Sequence, residues 1–173
     1  MTQEDDLRTV LEQSRDIDDL YAALIRAGKE KLVGLRDVVQ PLLQHQDPEI
    51  RGGALQTLAF FWRLPEYRES IFDYVKDVDP SVRSWALHAW AGYRAGTRDR
   101  DSIGRLWIIL RNDDEDIDVR QSAFLGMLTI YGVSSEEYWK SIYADLKNDR
   151  SVAWERIRAV LGDVGLNPPE AVG

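Results

Sequence analysis

Apolar residues recur along the chain at the three- and four-residue spacing of amphipathic helices, and no stretch keeps the two-residue alternation of a strand. The pattern predicts short helices over residues 4–14 and 17–27, the second capped by Asp16 and ended by Gly28. A third helix is expected over residues 30–44, broken near Pro41 because proline removes a backbone hydrogen bond. The pattern therefore predicts an all-α fold.

A nine-residue motif recurs from residue 47 onward. DPEIRGGAL at residues 47–55 returns as DPSVRSWAL at 79–87 and as DIDVRQSAF at 116–124, with a degenerate copy that begins at Asp149. The starts lie 32, 37 and 33 residues apart, which is the period of stacked two-helix repeats. Each copy predicts a helix start, because Asp caps free N–H groups and Pro suits the first helical position.

A second helix is expected between successive copies of the motif. These helices are predicted over residues 65–76, over 101–111 with Asp101 or Ser102 as the cap, and over 135–147 with a Ser134–Glu137 capping box. Antiparallel helix pairs would then stack along the chain.

The motif Asp-Pro-x-Ile/Val-Arg-x-x-Ala-Leu, placed after an apolar helix, resembles that of the HEAT-repeat family over residues 31–162. The resemblance implies a right-handed α-solenoid of antiparallel helix pairs, with about ten helices. The length of 173 residues predicts a single domain, and the repeat pattern divides it into a helical cap at 1–30, four repeats at 31–162 and a tail at 163–173. The resemblance also implies a hydrogen-bonded ladder between repeats, formed by Asp47, Arg51, Asp79, Arg83, Asp116 and Arg120.

The repeat register predicts which side chains of the second helices point away from the core. They mix small, aromatic and uncharged polar residues, and the family resemblance would place them on a concave surface: Gln56, Phe60, Trp85, His88, Gln121 and Leu125. Packing against a neighbouring repeat is the alternative role for Trp85. Four other aromatic residues are predicted in the core, namely Trp62, Trp90, Trp107 and Phe124. The helix-breaking pair Gly52-Gly53 indicates close packing or a ligand near the backbone.

The net charge of the chain limits the classes of binding partner that are expected. With 22 Lys+Arg against 30 Asp+Glu the net charge is −8, which disfavours nucleic acid because phosphate binding needs a positive field. The acidic N-terminus lacks a signal-peptide pattern and apolar runs are short, so we expect a cytoplasmic protein without a membrane partner.

Candidate catalytic chemistry is sparse. Cysteine is absent, and His45 and His88 fall in different repeats without metal-ligand spacing. The acidic run at 113–118 alternates like a calcium loop but continues with Val119 and Leu125 where that loop needs Gly and Glu. No phosphate loop or nucleophile motif occurs, so we expect no enzyme activity, cofactor, metal or small-molecule substrate.

These observations predict a non-catalytic module that binds a protein or peptide on its concave face. An adaptor and an inhibitor or immunity-type protein both remain open. The alternative is a HEAT-like nucleic-acid-binding or glycosylase-type DNA-repair protein that uses the five arginines of residues 94–111: Arg94, Arg98, Arg100, Arg105 and Arg111. The nearly uncharged concave face argues against that alternative.

Overall fold

The computed structural model of the protein describes residues 2–133 and 150–166, without the side chains of residues 150–154. These residues form helices joined by turns, and no strand occurs among them, so the prediction of an all-α fold is confirmed. The predicted helix over 135–147 and its capping box lie outside the described residues. The chain divides into two compact units, residues 1–93 and residues 94–173, and each is described by itself.

The first unit consists of helices joined by short turns. Its α-helices are α1 (Gln3–Gln13), α2 (Ile17–Lys29), α3 (Arg36–Val39), α4 (Pro48–Leu55), α5 (Tyr67–Ser70) and α6 (Pro80–Gly92). Turns of 3₁₀-helix flank α3 at Val33–Leu35 and Gln40–Gln44, a π-helical segment Gln56–Phe61 extends α4, and a 3₁₀ segment Ile71–Lys76 extends α5. The helix expected over 30–44 is thus split, and its α-helical part ends at Val39, before Pro41.

Aspartate caps the second helices of the first unit, as the motif predicts for α4 and α6. The Oδ1 atom of Asp16 accepts a hydrogen bond from Asp19 N at 3.1 Å, that of Asp47 from Glu49 N at 2.8 Å, and that of Asp79 from Ser81 N at 2.9 Å. Each bond satisfies an N–H group that has no partner within the helix. The N-terminal ends of α2, α4 and α6 are therefore closed by the same local chemistry.

Gly28 does not end α2, contrary to the sequence-based prediction. The helix continues to Lys29, and the chain turns at Lys31, whose φ of 59° is left-handed. A Cβ atom on Gly28 would lie 2.5 Å from Cδ2 of Phe61, so the glycine makes room for that ring. Glycine is needed at position 28 for close packing between neighbouring repeats, and not for a turn.

The second helices α2, α4 and α6 run parallel and side by side. Thr57 Oγ1 donates to Leu24 O at 2.8 Å, and Trp62 Nε1 donates to Ala27 O at 3.1 Å. Later residues of α4 and its extension thus contact later residues of α2, as in parallel helices. Tyr93 Oη, just beyond α6, donates to Leu64 O at 2.7 Å, just beyond the α4 extension. Burial raises the pKa of Tyr93 to about 12, which keeps this donor protonated.

Basic side chains link the C-terminal ends of these helices. The Lys31 ammonium donates to Phe61 O, and the Arg63 guanidinium donates to Gly92 O. Both residues have a left-handed backbone, with φ of 59° and 53°. A helix end exposes carbonyls without partners and carries partial negative charge, so a cation from the preceding repeat suits it.

A buried ion pair links the N-terminal ends of α4 and α6. Arg51 donates from Nη2 and Nε to the two carboxylate oxygens of Asp77, at 2.6 and 2.9 Å, and both side chains are nearly buried, at 12% and 10% exposure. Arg51 Nη1 also donates to His45 O and Gln46 O, both at 2.9 Å. The acid that joins Arg51 to the next repeat is therefore Asp77, whereas Asp47 and Asp79 act as helix caps.

The other motif arginines bond differently from one another. Arg83 repeats the local bonds of Arg51, because its Nη1 donates to Asp77 O at 2.9 Å and to Val78 O at 3.2 Å. Arg120 instead donates from Nε to Leu110 O at 2.9 Å and pairs with Asp113, whose side chain is 90% exposed. All three copies of the motif thus carry the arginine. Its ion pair with an acid is nearly buried at Arg51 and exposed at Arg120.

The second unit holds the remaining described helices, α7 (Arg100–Leu110), α8 (Ile117–Tyr131) and α9 (Arg150–Asp163). Asp99 caps α7 and accepts a bond from Ser102 N at 2.9 Å, so the predictions of Asp101 or Ser102 as the cap are wrong. Asp116 caps α8, which ends at Gly132 with φ of 97°, a left-handed position that glycine adopts without strain.

The four aromatic residues that the sequence predicts in the core are buried. Trp62 and Trp90 are 8% and 1% exposed in the first unit, and Trp107 and Phe124 are 8% and 1% exposed in the second. The aliphatic residues at the Ile/Val position of the motif are also fully buried, namely Ile50, Val82 and Val119. The sequence period therefore identifies the buried faces of these helices.

Replacing Asp77 with Asn tests the buried ion pair. The variant should lose about 2–4 kcal/mol of unfolding free energy, because a buried guanidinium loses its counter-charge. Burial acts to raise the pKa of Asp77, but the hydrogen bonds from Arg51 and from the Asp79 backbone, together with the positive charges of Arg51 and Arg83, lower the pKa below 3.8. The contribution of the carboxylate is therefore present above about pH 4 and lost as pH falls through the folded-state pKa.

The matched control is Asp113→Asn, which removes an exposed acid paired with the motif arginine Arg120. It should change stability by less than about 0.5 kcal/mol, as for other exposed ion pairs. Urea denaturation followed by circular dichroism at neutral pH measures both variants. Equal losses in the two would contradict a special role for the Arg51–Asp77 pair.

Candidate functional site

The parallel helices of the first unit present a row of aromatic and polar side chains. We call it the aromatic face, and its members are Tyr21 on α2, Gly52, Gln56 and Phe60 on α4 and its π-helical extension, and Trp85 and His88 on α6. On α4 and its extension the members are four residues apart and on α6 they are three apart, which places them on one stripe of each helix. The face exists because the three helices are parallel and adjacent.

Contacts between helices hold this row together. A Cβ atom on Gly52 would lie 3.5 Å from Cδ1 of Trp85, so the indole of α6 covers the backbone of α4. Gln56 Nε2 lies 3.5 Å from Tyr21 Oη, a long hydrogen bond between α4 and α2. The Trp85 and His88 rings lie 6.0 Å apart between centroids. The side chains are therefore positioned before any partner binds.

Exposure divides the face into accessible and supporting residues. Phe60 is 48% exposed, and Tyr21, Trp85 and His88 are half-buried, whereas Gln56 is buried at 6% exposure. A partner can thus contact the phenyl, phenol, indole and imidazole rings. Gln56 acts beneath them and holds the phenol of Tyr21.

The π-helical segment determines where Phe60 points. Trp62 N donates to Thr57 O at 3.0 Å, five residues back, which widens the turn. Three consecutive aromatic residues therefore differ in exposure. Phe60 is exposed, Phe61 is half-buried against Gly28, and Trp62 is buried. Such segments are frequent at functional sites.

Gly52 and Gly53 differ in what surrounds them. A Cβ atom on Gly53 would lie 3.0 Å from Tyr21 Cδ2 and 3.1 Å from Leu24 Cδ1, so close packing between α2 and α4 accounts for this glycine. A Cβ atom on Gly52 would meet only Trp85, at an ordinary distance. Gly52 is itself buried, and its missing side chain lets the indole of Trp85 lie over the backbone of α4.

The predicted contact residues fall in both units. Gln56, Phe60, Trp85 and His88 lie on the aromatic face, while Gln121 and Leu125 lie on α8 of the second unit. Leu125 is only 8% exposed, so its side chain does not offer the contact surface that the register predicts. Tyr21 was not predicted, because α2 lacks the nine-residue motif. Extending the helical register one helix earlier would have found it.

The centre of the aromatic face is nearly neutral. Burial lowers the pKa of His88 below its ordinary value of 6.5, so the imidazole is uncharged at neutral pH. Charged side chains stand at the ends of the helices, with Asp18 and Glu49 in the first turns and Lys29 at the end of α2, all exposed. The face is suited to apolar and uncharged contacts.

The first unit also has a groove lined by other residues. It is an open groove of about 340 Å³ lined by Asp37, Gln40, Pro41, Leu43, Gln44 and Tyr74. Arg8 binds the Asp37 carboxylate through both Nη atoms, at 2.8 and 2.9 Å, and Gln44 Nε2 donates to Tyr74 Oη at 3.1 Å. Asp37, Gln44 and Tyr74 thus already have hydrogen-bond partners within the protein, which leaves the aromatic face as the stronger candidate.

The arginine-rich segment 94–111 presents less free charge than its sequence indicates. Arg94 is 7% exposed, and Arg98 lies 4.6 Å from the ring centroid of Tyr131 and 3.5 Å from Asp163. At least two of the five arginines thus belong to the packing of the second unit. This weakens the segment as a phosphate-binding surface.

A family model of HEAT repeats matches residues 35–127, more than half of the chain. The chain therefore belongs to the HEAT-repeat family, as the motif indicates. No curated protein and no solved structure matches it. Among the described residues, no helix is both long and apolar enough to span a membrane.

Replacing the two glycines with alanine separates their roles. Gly52→Ala should raise the unfolding free energy by about 0.5–1 kcal/mol, because alanine favours a helix and the site has room. Gly53→Ala should be less stable than Gly52→Ala by at least about 1 kcal/mol, because Leu24 is fully buried and cannot yield. Thermal and urea denaturation measure the difference, and equal stabilities would contradict the packing described for Gly53.

The histidine of the aromatic face should make stability depend on pH. The pKa of His88 is lowered in the folded state, so the unfolded chain binds the proton more readily. The contribution of the neutral imidazole to folding stability is therefore complete above about pH 6.5 and lost at lower pH. The stability of the native protein minus that of His88→Gln should therefore be constant above neutrality and shrink between about pH 6.5 and 5. Urea denaturation measures the difference. A constant difference, or an NMR titration of the His88 ring at its ordinary pKa, would contradict this.

Proposed function

We propose that this protein is a non-catalytic interaction module whose aromatic face binds a segment of a partner protein. HEAT repeats form helical scaffolds that commonly mediate protein interactions, and the chain belongs to that family. The observation that carries the proposal is the row of accessible Tyr21, Phe60, Trp85 and His88 rings across three parallel helices. An adaptor and an inhibitor or immunity-type protein would both use such a face.

The chemistry of these side chains favours protein over other partners. Tyrosine and tryptophan contribute large apolar area together with one polar atom, and they are enriched where binding energy concentrates. Trp85 is already held against Gly52, so binding orders few additional torsions. A half-exposed phenylalanine such as Phe60 gains from burial under a partner.

The nucleic-acid alternative receives less support. Phosphate recognition needs Lys or Arg along the contact surface, and the centre of the aromatic face carries neither. The segment 94–111 has two of its arginines engaged within the second unit. We therefore propose a protein partner and no enzymatic activity.

Removing two rings tests the aromatic face. The double variant Phe60→Ala/Trp85→Ala should bind its partner at least tenfold more weakly, because each ring buries large area at such an interface. The partner is first recovered on the native protein by affinity capture and mass spectrometry, and its affinity for each variant is then measured by calorimetry.

Val33→Ala/Val78→Ala is the matched control, because these two apolar side chains are 42% and 91% exposed outside the aromatic face. It should keep the native affinity. Circular dichroism confirms that both variants fold. An unchanged affinity in the folded double aromatic variant would overturn the assignment of this face.

A further inference from the structure

The two ends of the aromatic face carry opposite charge. Because α2, α4 and α6 are parallel, their first turns meet at one edge, where the acids are Asp16, Asp18, Asp19, Asp47, Glu49 and Asp79. The opposite edge carries Lys29, Lys31 and Arg63, whose positions follow from the ends of α2 and α4. The surface therefore runs from acidic, through a neutral aromatic centre, to basic.

The charged residues that adjoin the aromatic face are exposed. Asp18 stands three residues before Tyr21, and Glu49 stands three residues before Gly52, so each lies on the stripe of its own helix. Lys29 stands eight residues after Tyr21, on the same broad face of α2. A partner that lies along α4 would meet acid at one end and base at the other.

An α-helix has the complementary charge order by its own physics. Acidic side chains stabilise its first turn and basic side chains its last turn, because of the helix dipole. If such a helix lies antiparallel to α4, its basic last turn faces Asp18 and Glu49, and its acidic first turn faces Lys29. A parallel helix would bring like charges together at both edges.

The middle of the face presents aromatic rings from all three helices. The indole of Trp85 covers the buried Gly52 of α4, Tyr21 lies beside Gln56, and Phe60 is 48% exposed on the α4 extension. The stretch from residue 49 to residue 60 on α4 and its extension spans about 17 Å at 1.5 Å per residue, or about three turns.

We infer that the partner segment is an amphipathic α-helix of about three turns that binds antiparallel to α4, with acidic residues in its first turn, apolar anchors in its middle and basic residues in its last turn. This inference rests on the proposed function of the aromatic face. It adds the conformation, direction and charge order of the segment.

A displayed library of random peptides, about 16 residues long, tests this without a known partner. Selection on the full-length protein should enrich sequences with apolar residues at helical spacing, Asp or Glu before them, and Lys or Arg after them. Synthetic versions of the selected peptides should gain helical circular dichroism on binding. Enriched sequences with the reverse charge order, or with none, would overturn the inference.

Two neutralising variants then test the charge assignment with the same peptides. Asp18→Asn/Glu49→Gln should weaken their binding about tenfold, and this loss should diminish at high salt because exposed charges are screened. Asp6→Asn/Asp73→Asn is the matched control, since it removes two exposed acids from other parts of the first unit, one of them in a helix first turn. Equal affinities for the two double variants would overturn the inference.

The inference and the proposed function fail in different ways. Peptides that lose affinity for Phe60→Ala/Trp85→Ala but show no charge order would leave the aromatic face as the binding site and overturn only the helix. Peptides that bind the aromatic variant as tightly as the native protein would overturn the proposed function itself. Self-association of the native protein in analytical ultracentrifugation that Trp85→Ala abolishes would identify a second copy as the occupant, and would overturn the partner helix.

Discussion

The first unit depends on the bonding of one nearly buried guanidinium. Arg51 bonds the two carbonyls of its own preceding turn and both carboxylate oxygens of Asp77. A guanidinium cannot be neutralised by losing its proton, so burial requires this complete set of acceptors. The turn before α4 and the turn before α6 are consequently held at one separation. This ion pair therefore helps to hold α4 and α6 side by side.

The opposite ends of the helices are held by a second set of cations. Lys31 and Arg63 take a left-handed backbone, which costs about 1–2 kcal/mol for a residue with a Cβ atom. In that conformation each side chain donates to the last carbonyls of the next helix. Charge-assisted hydrogen bonds and the helix dipole offset the cost. Both ends of the stack are therefore joined by basic residues that reach forward along the chain.

Parallel stacking also produces the surface on which function is proposed. Helix starts that share aspartate caps collect acid at one edge, and helix ends that need cations collect base at the other. Between them the side chains of α2, α4 and α6 are small, aromatic or neutral, and burial keeps His88 uncharged. The charge order of the face is thus a by-product of how each helix is capped.

The sequence by itself determined the all-α fold, the aspartate caps of α2, α4, α6 and α8, the repeat family and the buried aromatic residues. All of these depend on spacing along one helix, which periodicity records. It also brought Gln56, Phe60, Trp85 and His88 onto one predicted face, because they share a repeat register. The tertiary structure alone decided which groups meet between helices: Asp77 as the acid for Arg51, Phe61 as the reason for Gly28, Tyr21 beside Gln56, and the burial of Leu125. Those pairings depend on the rotation and offset of whole helices and on the π-helical turn before Trp62, which are set by packing and leave no period in the chain.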